Sequence, residues 1–170
     1  MRTVFGADEQ SELEVDVLRW VRLARMVLDQ ERVPEESEMS VIFVDEQSMS
    51  DLHERFLGGS GPTDVLAFPM DDDVAPGGRQ PDQGGSGPGS PTEATDPPTV
   101  IGDVVVCPQV ARRQSDGRGS LDDEVALLVV HGVLHLLNYD HAEDEDSEAM
   151  RKRERELLAQ FRELEQEEGR

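Results

Sequence analysis

Three of the chain's four histidines, His131, His135 and His141, fall within one short segment, His131-Gly132-Val133-Leu134-His135-Leu136-Leu137-Asn138-Tyr139-Asp140-His141. A spacing of four on a helix puts His131 and His135 on one face, one turn apart. The apolar run from Val125 to Leu137 supplies that helix, and His141 follows six residues later, beyond a turn. Two imidazoles from a helix and a third from the returning chain can take three corners of a tetrahedron. The fourth corner stays open for water, which is the plan of a catalytic zinc site with one ion per chain and a zinc-bound water as nucleophile. A structural zinc would normally be closed by a fourth protein ligand, usually cysteine.

The histidine spacing of zero, four and ten matches the long zinc motif H-E-x-x-H-x-x-G-x-x-H of one protease class. Two positions differ. Gly132 stands where a peptidase has its glutamate base, and glycine can move no proton. Asn138 stands where the motif has glycine, and asparagine is the next best residue for a left-handed helix stop. Zinc held by three neutral imidazoles keeps most of its double positive charge. Such a centre favours an anionic ligand, such as a phosphodiester oxygen, and can lower the pKa of bound water to about 7.

The chain has 170 residues, enough for a single domain with its own core. Aromatics are sparse (Trp20, Tyr139 and five phenylalanines), so Val, Leu, Ile and Met must fill that core. Cys107 is the sole cysteine, so no internal disulfide can form, which fits a reducing cytoplasm. There is no basic-then-apolar leader, and no apolar run approaches a membrane span. The expectation is a soluble cytoplasmic protein without membrane or DNA partners. The net charge of −22 counts against nucleic acid, whose binders usually carry a basic footprint. Lys152 is the only lysine; acid enrichment with lysine depletion also fits adaptation to salt or to a GC-rich genome, in which case the charge speaks of environment and not of substrate.

The elements that must position the histidines are legible as follows. Residues 2–5 read as a short first strand. Asp8 to Ser11 offer caps for a helix from about Leu13 to Gln30, with the apolar stripe Val17, Val21, Ala24 and Leu28. Arg19, Arg22 and Arg25 on that helix read as a solvated face in preference to an RNA-binding strip. Met39 to Val44 reads as a strand and Glu46 to Phe56 as a short helix. Pro62 to Pro69 is a strand bracketed by prolines, suited to an edge. Residues 71–99 carry almost no apolar side chains and are expected to form a disordered insertion inside the domain. Thr99 to Cys107 is nearly continuous in apolar residues and reads as an internal strand. Pro108 opens a short helix to Ser115, and Ser120 with Asp123 resembles a capping box at the start of the histidine helix. Residues 143–168 form a charged, periodic C-terminal helix whose stripe, Met150, Leu157, Phe161 and Leu164, is expected to pack on the domain.

Three segments then coincide in order: Gly61-Pro62-Thr63-Asp64-Val65-Leu66-Ala67-Phe68-Pro69, Ile101-Gly102-Asp103-Val104-Val105-Val106-Cys107-Pro108, and His131 to His141. Together they resemble the YbeY family of bacterial metal-dependent endoribonucleases, over about residues 38–160 apart from the insertion. The resemblance implies an α/β fold, a small mixed β-sheet surrounded by helices in a single domain, with the zinc site on a helix and the following turn. It implies zinc on His131, His135 and His141. It also implies single-strand-specific cleavage in small-subunit ribosomal RNA processing and ribosome quality control, with ribosomal RNA and the ribosome or its proteins as partners. This chain departs from the family pattern at three places. Leu57 stands where an arginine thought to contact phosphate is common, and Arg55, two residues away on a helix, points elsewhere. Ala67 replaces a serine, and Asn138 a glycine.

The expected reaction is metal-assisted hydrolysis of an RNA phosphodiester. Either bound water attacks, or the metal polarises the phosphoryl oxygen while the ribose hydroxyl attacks. Asp64, Asp103 and Asp140 are candidate partners for the histidine N–H groups, although Asp140 reads equally well as a turn residue and Tyr139 as packing. Two other classes use the same residues. A zinc peptidase or deacylase would have to draw its base from the distant Glu124. A non-catalytic assembly factor would hold zinc for structure and bind the ribosome by its surface.

Overall fold

The computed structural model describes residues 1–70, 98–117, 119–138 and 144–169. Its elements run β1 (Thr3–Asp8), α1 (Val17–Gln30), β2 (Ser37–Phe43), α2 (Glu46–Leu57), β3 (Val65–Pro69), β4 (Thr99–Val106), α3 (Pro108–Ser115), α4 (Leu121–Leu136) and α5 (Asp144–Glu168). The four strands form one mixed sheet in the order β1-β2-β4-β3. β1 and β4 run parallel to β2, and β3 is antiparallel to β4. This is the expected α/β architecture.

Strand placement follows composition. β4 lies between β2 and β3 and is buried on both faces from Val104 to Val106, as its continuous apolar run requires. β3, which ends in Pro69, takes an edge, where a missing N–H leaves no ladder bond unmade. A bulge interrupts β2–β4 between Glu38 and Met39, so that Ile101 is skipped and Met39 pairs with Gly102. Gly102 has φ +142°, and a side chain there would meet the Phe68 carbonyl oxygen at 2.2 Å; only glycine fits this bend.

Alternation along the strands builds two clusters. Val41, Phe43, Val104 and Val106 join Leu23, Val27 and Leu28 of α1, Val129, Val133 and Leu134 of α4, and Met150 and Leu157 of α5. Leu66 and Val105 point the other way and meet Met49 of α2 with Cys107 and Val110. The first cluster is the larger, and α4 lies in it, so the histidine helix is held against the sheet by the main core.

Element boundaries differ from the sequence reading in places: β1 runs on to Asp8, and β3 begins at Val65 and not at Pro62. α1 begins at Val17, not near Leu13, because the Gln10 side chain folds residues 10–13 into a turn: its Oε1 accepts from Glu12 and Leu13 N–H and its Nε2 donates to Leu13 O. Asp16 then caps the helix by accepting from Arg19 N–H. β4 begins at Thr99, where the sequence reading starts this strand; residues 71–97 of the expected insertion lie outside the described ones. In α5, Met150, Leu157 and Phe161 are buried as expected, while Leu164 is 44% exposed. Arg19 and Arg22 are both paired with carboxylates of α5. Arg19 forms a two-pronged pair with Glu165, at 2.6 and 2.9 Å, and reaches Asp122 at 2.9 Å. Arg22 pairs with Glu168. These contacts tie α1 to α5. Among the described residues no helix is long and apolar enough to cross a membrane.

Candidate metal centre and its recesses

α4 is capped by Ser120, whose hydroxyl accepts from Asp123 N–H at 3.0 Å, and its first turn carries Asp122, Asp123 and Glu124, which suit the positive end of the helix dipole. The helix stops where expected. Leu137 is the cap, and Asn138 has φ +70°, the left-handed conformation asparagine tolerates best after glycine.

His131 and His135 lie one turn apart and aim their Nε2 atoms at each other, 3.0 Å apart, with ring planes at 74°. A tetrahedral zinc with Zn–N near 2.0–2.1 Å separates two ligand nitrogens by about 3.3 Å. The two rings therefore fit a shared ion after opening by a few tenths of an ångström. His141, Asp140 and Tyr139 lie outside the described residues, and among the described ones no group of three or more His, Cys, Asp or Glu side chains is gathered as a ligand set. Cys107 lines neither recess beside the histidines; burial pushes its thiol pKa up, which keeps it protonated and inert.

His131 has a partner the sequence reading missed. Its Nδ1 lies 2.6 Å from Oε1 of Glu154 on α5, a carboxylate that is only 7% exposed. The signal was present. Met150, Glu154, Leu157 and Phe161 recur at 4-3-4 spacing, so Glu154 interrupts an apolar stripe, and a charge in a buried stripe needs a partner. Of the carboxylates proposed instead, Asp64 lines a recess with His131, but its Oδ1 accepts from its neighbour Val65 N–H at 2.8 Å. Asp103 alternates with Val104, which packs toward α4, and so lies on the opposite face of the sheet, exposed.

Gly132 has a packing reason. A Cβ there would stand 2.6 Å from Val104 Cγ1 and 3.3 Å from Val65 Cγ2. The helix rides against the sheet at this point, and a side chain at 132 would be driven against Val104 of β4 and Val65 of β3. The fourth histidine, His53, has Nδ1 3.0 Å from Gly61 O and so pins the loop that leads into β3.

Two recesses flank the histidines. One, of about 400 Å³, is lined by Leu57, Val65, Ala67, Pro69, His131 and His135, among others. Leu57 and Ala67, two of the three departures from the family pattern, thus both face the candidate centre. The other, of about 710 Å³, brings His131 together with Asp64, Arg113, Asp116, Glu124 and Glu154. Among the described residues lining the two, Arg113 is the cation, and it pairs with Glu46.

Comparison with known proteins places these features in context. Residues 6–162 match the family model described as Endoribonuclease YbeY. A Thermobifida fusca protein named Endoribonuclease YbeY is 47% identical, over 94% of this chain and 95% of its own length. A Frankia casuarinae protein of the same name is 45% identical, over 93% of this chain and 74% of its own length. The fold resembles the solution structure of TM1509 from Thermotoga maritima, with a TM-score of 0.54 at 21% identity, over 95% of this chain and 93% of that one.

Proposed function

The chain belongs to the YbeY family of endoribonucleases, and from that premise we propose that it is a zinc-dependent nuclease that cuts single-stranded RNA during ribosomal RNA processing in the cytoplasm. The observation that carries the metal half of this reading is the convergence of the His131 and His135 Nε2 atoms at 3.0 Å between two open recesses. His131, His135 and, from the segment beyond α4, His141 are the residues that would hold zinc. When bound, zinc supplies Lewis acidity that activates water or polarises a phosphoryl oxygen.

The chain's own residues do the rest. Leu57, Val65 and Ala67 form an apolar wall beside the rings. Arg113 is placed to offer a guanidinium to a phosphate in the larger recess, once it leaves Glu46. Asp64, in the same recess, is a candidate proton acceptor. Asp103 faces away and takes no part in this reading.

A peptidase reading is weakened by Gly132, because a base at that position would point into the sheet; Glu124, which lines the larger recess, would have to replace it. The reading as a zinc-bearing assembly factor without turnover draws on the acidity and on α1, where Arg19 and Arg22 are already taken by α5 carboxylates.

The test is metal-replete protein on single-stranded ribosomal RNA, with a peptide substrate in parallel. We expect about one zinc per chain, RNA cleavage, no peptide cleavage, and loss of both zinc and cleavage in His135→Ala, since two imidazoles hold zinc weakly. Full zinc content in His135→Ala by elemental analysis would refute the site, and zinc without RNA turnover would favour the assembly factor.

A further inference from the structure

We propose that Glu154 is a positioning residue of the metal centre, and that through it α5 becomes part of that centre. The inference rests on the zinc reading above. The Glu154 carboxylate is 7% exposed and sits one turn after Met150 and one turn before Leu157, both fully buried. Nothing in the packing of α5 calls for a charge at that point; leucine would suit the stripe better. The carboxylate instead sits 2.6 Å from His131 Nδ1, across 23 residues of sequence.

The consequence concerns the tautomer. A neutral imidazole has one N–H and one lone pair. An ionised carboxylate only accepts, so a carboxylate at Nδ1 selects the form with hydrogen on Nδ1. That form leaves the lone pair on Nε2, the atom that faces His135 Nε2. The same contact locks the ring's orientation. His131 is thereby preset to coordinate through Nε2, and less ordering remains to be done when an ion arrives.

Because the carboxylate comes from α5, the effect runs both ways. A docked α5 favours the metal-ready His131, so a bound metal must favour the docked α5 by the same free energy. α5 is also held by Arg19 and Arg22 of α1 at its far end, around Glu165 and Glu168, and by Arg153, beside Glu154, on Glu31. Of these described ties, the one at Glu154 reaches a histidine, His131.

Two measurements decide this. The first uses wild-type, metal-free protein at a pH well above the ordinary imidazole range, and reads the His131 tautomer from its ring nitrogen-15 shifts. We expect the proton on Nδ1; a proton on Nε2 overturns the proposal, and no variant need fold. The second compares zinc dissociation constants of wild type, Glu154→Gln and Glu154→Ala by competition with a chelator. Removing such an outer partner typically weakens metal binding by about 10–100-fold, expected for alanine. Glutamine keeps an acceptor oxygen and the volume, so its loss is expected to be smaller. Wild type that binds zinc while both variants bind it equally well sinks this proposal alone. Wild type that binds no zinc sinks the metal reading and this proposal together.

Discussion

At the scale of single residues, the candidate centre is defined by what each side chain can and cannot offer. A four-residue spacing puts His131 and His135 on one face of α4, and their rings meet edge to face with the Nε2 atoms 3.0 Å apart. Gly132 removes a general base and Ala67 a hydroxyl. Leu57 removes a cation that would otherwise stand at the mouth of the apolar recess. Leu57 is 59% exposed and shares that recess with both rings, so a longer, charged side chain can be accommodated without disturbing the core. Leu57→Arg is therefore expected to fold normally, bind single-stranded RNA more tightly, and steepen the salt dependence of binding by about one further phosphate contact. Titrating binding against salt, after circular dichroism has confirmed the fold, checks this. Unchanged affinity and slope would mean that RNA does not approach from the Leu57 side.

At the scale of elements, α4 is both a packing helix and the carrier of the chemistry, and Gly132 reconciles the two. It lets the helix lie close enough to β4 for Val129, Val133 and Leu134 to be fully buried, while His131 and His135 remain on the open side. Gly132→Ala tests this. A helix interior normally gains from alanine, but here the new Cβ would stand 2.6 Å from Val104 Cγ1. Overpacking of this kind costs about 1–3 kcal/mol, so the substitution is expected to lower stability despite its better helix propensity. Urea unfolding gives the sign directly; a stabilised variant would show that α4 does not press on the sheet at this point. The helix end is built with equal economy. Asn138 takes the left-handed conformation, so the chain leaves α4 just after His135.

At the scale of the whole molecule, acidity and architecture are linked. The chain carries 38 acidic and 16 basic side chains, and part of the basic set is spent holding α5: Arg19 on Glu165, Arg22 on Glu168 and Arg153 on Glu31. The acidic C-terminal helix is thus a structural partner of α1, which leaves less positive charge for a polyanion. The sheet makes a second whole-molecule prediction. β3 and β4 are antiparallel neighbours with Pro69 opposite Gly102, and Met70 N–H donates to Ile101 O at 2.9 Å. The ends of the polar segment between them are therefore already side by side. Replacing residues 73–96 with a short Gly-Ser bridge should leave the melting temperature nearly unchanged, since the entropic cost of joining two adjacent chain ends varies only logarithmically with the length between them. Calorimetry that found a large loss would show that the segment packs on the domain.

Much of this was legible in the sequence because it depends on a few adjacent residues. Spacing put His131 and His135 on one helix face, Ser120 and Asn138 marked where that helix begins and stops, Pro108 opened α3, and the prolines around residues 62–69 sent β3 to an edge. Each of these rests on local backbone geometry, which acts within a turn or two. Other features depended on which faces the core brings together. The start of α1 is not set by periodicity, because a glutamine side chain shapes residues 10–13. Asp103 has the right chemistry but lies on the wrong face of β4, which only the pairing of the sheet decides. Glu154 is 23 residues from His131 in the chain, and the pairing of α1 arginines with α5 carboxylates spans 146. Contacts at such separations are set by how helices dock on a common core, so they belong to the tertiary structure.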